Sequence, residues 1–492
     1  MTGAAAAGPA PRRRRVHALL VACLAWGVGA PAQASRGGAS AVASEPPPAE
    51  SRALDAFFDD LEKRTFNYFW ETTNPSNGLV PDRFPSGSEA SIAAVGFGLT
   101  AYPIGVERGY IDRSAARERV LATLKFFAEA DNEHGFFYHF LDLKSGERAR
   151  RSEISTIDTT LLLAGVLFCQ SYFDADEPTE RQIRNLADEI YRRVDWTWAQ
   201  NHAPAVSMGW TPEQAFISTD WLGYDEAMIL YVLALASPTH PVEPDAWRAW
   251  TSTYDKHWGT LYGQTHLTFG PLFGHQYSHV WIDFRGIRDE WMRQRDLDYF
   301  ENSRRATYAQ RGYAIENPMH WLGYGENVWG LTACDGPGRR AHAAAGERRF
   351  YSYMARGVGL EAVLDDGTIA PTAALGSLPF APEIVIPAAR EMYLRFGAWI
   401  YSTYGFRDAF NPSVIDFAQP AAPGDAGWVD LDYIGIDEGP ILAMIENYRN
   451  GFVWRVMRDD PYIRRGLERA GFEGGWLTQA AESGKAQSKE EK

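Results

Sequence analysis

The chain has 492 residues and a formal net charge of -15, with 45% hydrophobic, 23% charged and 13% aromatic residues, the last including 17 Trp and 23 Tyr. The acidic balance argues against a nucleic-acid partner, because Lys and Arg must neutralise phosphates for such binding. Three cysteines cannot staple a chain this long, so stability rests on a buried core.

The order of elements begins with a leader. Arg12 to Arg15 precede an apolar run over 16–30, and Ala32-Gln33-Ala34 supplies a small-x-small cleavage site. This layout predicts a signal peptide over 1–34, a mature start near Ser35 and a periplasmic or secreted protein. Leu20-Val21-Ala22-Cys23 also fits a lipobox, so a lipid-anchored Cys23 is the alternative. Residues 35–53, rich in Ala, Ser, Gly and Pro, read as a linker, 54–473 as one catalytic domain, and 474–492 as a charged, flexible tail. No segment after the leader is apolar for long enough to span a bilayer.

From Leu54, apolar residues recur at helical spacing as far as Trp70, and Asn74-Pro75 stops the helix. Helices are then predicted over 91–110, 113–130, 155–173, 179–200, 224–236, 245–258, 285–314, 327–333, 382–396, 438–448 and 461–470. Several are apolar all round and others are amphipathic. An inner ring covered by an outer ring satisfies both kinds, which predicts an all-α fold, an (α/α)6 toroid of about twelve helices. Long loops rich in Gly, Pro and aromatics, at 134–152, 203–223, 261–283 and 398–434, are expected over the end where the inner helices start.

One hexapeptide recurs. Trp221-Leu222-Gly223-Tyr224-Asp225-Glu226 returns as Trp321-Leu322-Gly323-Tyr324-Gly325-Glu326 and, more loosely, as Tyr433-Ile434-Gly435-Ile436-Asp437-Glu438. An acid in the first turn of a helix is favoured by the helix dipole, so each copy also reads as a plain helix cap. The aromatic beside each acid suits sugar recognition as well. Hydrolysis of a glycosidic bond needs one carboxyl that keeps its proton and a second that is ionised. Glu226 is the candidate acid and Asp437 the candidate base. Asp158, Trp221, Tyr224, Asp225, Trp321, Tyr324, Glu326, Trp329 and Glu438 are candidate sugar contacts, with Glu383 a further acid at a predicted helix start. The aromatic stretch 269–286 adds His275, Gln276 and Arg285 as cleft candidates. His275 and His279 are four apart, but the flanking Gly and Pro argue against a helix and no third ligand follows, so no metal is expected. There is no phosphate-cradling Gly loop followed by Lys, no strand-linked dinucleotide fingerprint and no G-x-S-x-G elbow. Cys169 reads as a buried apolar residue and Cys334 as marking a helix end.

The combination of Thr65-Phe66-Asn67-Tyr68-Phe69-Trp70, Ser155-Thr156-Ile157-Asp158-Thr159, Gly223-Tyr224-Asp225-Glu226, the segment 275–286, 329–337 and Gly435-Ile436-Asp437-Glu438-Gly439-Pro440 resembles the bacterial glucoamylase-like domain. It is most similar to glycoside hydrolase family 144, the endo-β-1,2-glucanases. The resemblance implies an exported (α/α)6 enzyme cutting β-1,2-glucan internally to short sophoro-oligosaccharides, by inversion and without metal or cofactor. It implies Glu226 as proton donor, with Asp437 carried over as its partner, and a monomer acting on a glucan. A related domain in cyclic β-1,2-glucan synthases rearranges the same linkage, so the fold does not fix the outcome. Action on another glucan, or glucan binding without catalysis, are the alternatives.

Overall fold

Helices alternate between fully buried and half-buried along the chain. The computed structural model describes residues 49–478 apart from 88, 340–341, 344–347 and 416–425. The leader, Cys23, nearly all of the linker and the tail beyond 478 lie outside the described residues. Residues 50 onward form one unit, and the helical ring lies within it.

The helices are α1 (Ala49–Thr72), α2 (Ile92–Glu107), α3 (Arg113–Glu129), α4 (Thr156–Tyr172), α5 (Pro178–Arg192), α6 (Met228–Ala236), α7 (Asp245–Trp250) and α8 (Tyr254–His257). They continue with α9 (Tyr277–Trp281), α10 (Glu290–Arg293), α11 (Tyr299–Glu316), α12 (Pro371–Leu375), α13 (Pro382–Ile400), α14 (Gly435–Asn450), α15 (Phe452–Arg458) and α16 (Pro461–Arg469).

Buried helices form the inner ring. α2 packs between α4 and α14, and α4 also touches α6. Ile229 N–H on α6 donates to Ser278 Oγ on α9 (3.0 Å), Gln276 beside α9 donates to Ala373 O on α12 (2.8 Å), and Thr372 Oγ1 on α12 donates to Asp437 O on α14 (2.9 Å). The circle α2, α4, α6, α9, α12, α14 is thereby closed. Gly96 and Gly165 allow the tight α2–α4 approach, since a Cβ on either would lie 2.1 Å from a carbonyl oxygen of the other helix. α6 is buried at every position, and its all-apolar sequence is the reason. α1, α3, α5, α7, α11 and α13 precede the ring members in turn, each with a buried face and an exposed face. This is the (α/α)6 arrangement.

The long connections carry short antiparallel strands that stitch together the N-terminal ends of inner helices. Ala90–Ser91, leading into α2, pairs with Phe140–Leu141; Ile154–Ser155, leading into α4, pairs with Gly209–Thr211. Tyr433–Ile434, leading into α14, pairs with Arg83–Phe84. Ser91 and Ser155 then cap α2 and α4 with their hydroxyls.

Several predicted elements differ. The helix over 285–314 is broken into α10 and α11 because Asp289 and Asp298 each start a new one, capping Met292 and Glu301 N–H. The segment 327–333 is not helical. Gly330 sits at φ +143°, and Gln310 takes both Leu331 N–H and Leu331 O (2.8 Å each), the groups a helix would have used. α5 stops at Arg192, after which Asp195 Oδ1 collects the N–H groups of Thr197 and Trp198. α9, α12 and α15 have no counterpart among the predicted helices; the Gly and Pro around α9 shorten it without preventing it. The expected domain end at 473 falls short, because Trp476 and Leu477 are buried and Trp476 Nε1 donates to Asp283 O (2.7 Å). Cys169 and Cys334 are both free and buried, and Cys334 lies in a strand paired with Met354–Ala355 rather than at a helix end. No described helix is long and apolar enough to cross a membrane.

Candidate active site

Acids collect where the inner helices begin. On α4, Asp158 accepts from the Ser155 hydroxyl (2.5 Å), and Asp158 N–H returns a bond to it (3.2 Å). His139 bridges Glu153 (2.9 Å) and Asp158 (3.4 Å). Burial opposes a charge on His139, but Asp158, Glu153 and Asp82 outweigh it and raise its pKa to about 9. Its imidazolium therefore supplies the cation of that cluster.

Ahead of α6, the neighbours Asp225 and Glu226 differ. Asp225 is buried and accepts from Ala227 N–H (2.9 Å) and Trp250 Nε1 (3.4 Å), as a capping residue does. Glu226 is half-buried, and no other residue among those described hydrogen-bonds its carboxyl. Burial first, then the charges of Asp225 and Asp158, push its pKa well above the usual carboxylate range.

Asp437 lies in the first turn of α14, 4% exposed. Burial raises its pKa, opposed by the Asp408 carboxyl and the Arg83 guanidinium. Asp408 is raised as well, by burial and then by Asp437, so the two neighbouring carboxyls resist being ionised together. Asp408 is fixed by Asp335 N–H (2.7 Å), and Arg83 grips Asp335 through Nε (2.9 Å) and Nη2 (3.3 Å). Carboxyl oxygens of Asp335, Asp408 and Asp430 lie within 4.8 Å of one another. Arg83 brings positive charge to this nest, and the strand pairing with 433–434 is what places it there. The Tyr277 hydroxyl, at the start of α9, lies within electrostatic reach of Asp437, Tyr353, Glu226 and Asp158, so these groups share one neighbourhood.

The structure thus brings Glu226, Asp437 and Asp158 to one end of the ring, with Trp221 beside them through Nε1 to Thr156 Oγ1 (3.0 Å). Other expected contacts are elsewhere, and each has a packing reason. Tyr224 is 3% exposed, stacked on Tyr299 (5.8 Å). His275 is fully buried against Tyr224, its Nε2 on Phe269 O (3.2 Å). Gln276 spends its amide on Ala373 O and Ser377 Oγ. Arg285 lies past the C-terminal end of α9, paired with Asp283 (2.8 Å) and stacked on Trp454 (4.4 Å). Trp321 packs on Phe350, and Trp329 is 1% exposed. Tyr324 donates to Asp365 (2.7 Å). Glu326 is exposed and pairs with Arg311 on α11 (2.6 Å), Glu383 pairs with Arg304 (2.7 Å), and Glu438 turns toward Thr65 on α1.

Sequence reasoning missed Arg83, His139, Asp335, Asp408, Asp430, Tyr277 and Tyr353. Most sit in irregular loops with no periodicity to mark them. Arg83 carried one usable signal, as a lone cation between Asp82 and an aromatic.

Two carboxyls at one end of a helical toroid are the groups that hydrolysis of a glycosidic bond requires. The Glycoamylase family model, described as that of a candidate glucoamylase, matches residues 218–461. A candidate glucoamylase from Bacteroides uniformis is 31% identical, with a TM-score of 0.75, over 86% of this chain and 98% of that one. An endo-β-1,2-glucanase from Chitinophaga pinensis, in complex with sophorotriose and glucose, is 29% identical, with a TM-score of 0.75, over 86% of this chain and 99% of that one. An exo-β-1,2-glucooligosaccharide sophorohydrolase (non-reducing end) of Parabacteroides distasonis is 30% identical over 449 residues. That match covers 84% of this chain, which spans only 58% of the length of that curated relative. The chain belongs to the glucoamylase-like family.

Proposed function

We propose that the protein hydrolyses β-1,2-glucan by acid/base catalysis, with Glu226 as proton donor and Asp437 as base. The observation that carries this is the pair of carboxyls brought to one end of the ring with different neighbours: Glu226 is raised by burial and by the acids Asp225 and Asp158, while Asp437, raised by burial to about 7, has Arg83 and Asp408 acting to lower it. Glu226 protonates the leaving glycosidic oxygen. Asp437 removes a proton from the attacking water on the other face of the sugar, so the anomeric configuration inverts. Asp225 shapes the turn before α6 and keeps Glu226 neutral. The activities named for the Chitinophaga and Parabacteroides proteins support β-1,2-glucan as substrate.

We read the action as endo, as in the Chitinophaga protein; the Parabacteroides relative favours release of sophorose from the non-reducing end as a second reading. Incubation with linear β-1,2-, β-1,3-, β-1,4- and α-1,4-glucans, with product sizes followed over time, separates these. Early oligosaccharides of mixed length support endo action, sophorose alone from the first minutes supports exo action, and an inert β-1,2-glucan overturns the linkage. We further read the protein as an exported monomer with one catalytic domain. N-terminal sequencing of the mature protein should begin near Ser35; a lipidated Cys23 would replace that reading.

A further inference from the structure

Tyr353 stands out among the residues that the acid/base scheme leaves unused. It is 47% exposed, yet its hydroxyl lies within electrostatic reach of Asp437, Asp408 and Asp82. No group among the described residues hydrogen-bonds that hydroxyl. Part of its ring covers Arg83, whose guanidinium carbon lies 5.5 Å from the centroid. An exposed aromatic beside buried carboxyls fits a sugar, with its apolar C–H face toward a ring and its hydroxyls toward acids.

The segment that presents Tyr353 is held from beneath. Arg356 and Asp366 form a bidentate pair, at 2.7 and 2.9 Å, with neither side chain exposed. The same guanidinium donates to Cys334 O (2.8 Å), Ser352 O (3.2 Å) and Tyr351 O (3.3 Å). Asp366 accepts from Tyr351 N–H (2.9 Å). A buried charge is costly unless paired and bonded on all sides, so this clamp fixes the backbone on both sides of Tyr353. An exposed ring so firmly based is placed for contact rather than for packing. Phe84 and Leu431, chain neighbours of Arg83 and Asp430, add exposed apolar surface of 37% and 63%.

We propose that Tyr353, presented by the Arg356–Asp366 clamp, is the platform on which one glucosyl unit of the substrate stacks beside Asp437. This rests on the glucan-hydrolase reading and adds a binding residue to it. The unit lies on the part of the ring that Arg83 leaves free, and its hydroxyls reach the Asp335, Asp408 and Asp430 nest.

The test compares wild type, Tyr353→Ala and Tyr353→Phe by steady-state kinetics, on whichever of the β-1,2-, β-1,3-, β-1,4- and α-1,4-glucans the wild type cleaves best. We expect Tyr353→Ala to raise KM about tenfold with kcat changed less than about threefold, an effect the size of one lost ring contact, and Tyr353→Phe to stay near wild type. Unchanged KM in Tyr353→Ala overturns the proposal, as does a fall confined to kcat. A Phe variant as poor as the Ala variant also overturns stacking, since the hydroxyl would then carry the effect. If the preferred glucan is not β-1,2-linked, the linkage reading falls while the Tyr353 comparison is still read on that glucan. If no glucan is cleaved, both fall.

Discussion

The segments 221–226 and 321–326 share most of their residues and meet different fates. Both turn at a glycine with positive φ, +96° at Gly223 and +89° at Gly323, which a side chain would resist. The next difference decides the outcome. Asp225 accepts from Ala227 N–H and so starts the path into α6, leaving Glu226 at the site. Gly325 has no side chain to cap with; its N–H instead meets Val328 O (3.1 Å) in a local bridge, and Glu326 swings out to Arg311. In the third copy, Asp437 and Glu438 both enter α14, but one helical position apart they face Arg83 and Thr65 respectively. A repeated motif therefore marks a repeated turn, while the cap and the helix phase decide which acid reaches the cleft.

Substitutions at these copies can break that comparison. The largest effect is expected for Glu226→Gln, which should lower kcat about 10²- to 10⁴-fold with the fold intact, as loss of a proton donor does; a rate near wild type removes Glu226 from the mechanism. Asp437→Asn should lose a similar factor, whereas Glu438→Gln should keep most of the rate, its side chain being turned away. Equal losses at the two positions, measured on folded protein, would undo the contrast between Asp437 and Glu438. Asp225→Ala removes the turn bond to Ala227 N–H and should cost about 1 kcal/mol in denaturant unfolding.

Asp225→Asn gives a finer measure through pH. Burial raises the folded pKa of Asp225 to about 7, from 3.8 for an unperturbed aspartate. The folded state then binds more protons than the unfolded state between those values, so this group makes stability fall as pH rises through that window. The Asn variant should show a flatter stability profile there, and an unchanged slope would place the titration on another group. The smallest effect belongs to the second copy. Glu326→Gln should change kcat/KM less than about twofold and stability by less than about 0.5 kcal/mol, since exposed ion pairs contribute little.

The helical class and the alternation of buried and half-buried helices are legible in the residues alone, because an apolar surface must be covered and α2, α4 and α6 are apolar all round. The sequence also marked Glu226, Asp437 and Asp158, since acids at helix starts leave a local pattern. Helices nucleated by a single Asp, such as α10 and α11, and those as short as α9 and α12, leave too little periodicity to read. Which polar residues gather at that end of the ring follows from long-range packing. Arg83 comes within electrostatic reach of Asp437 because residues 83–84 pair with 433–434, and Asp408 is brought there through a loop anchored by Asp335. Arg83 and Asp437 stand far apart along the chain, and their proximity depends on ring closure and strand register, which no local spacing encodes.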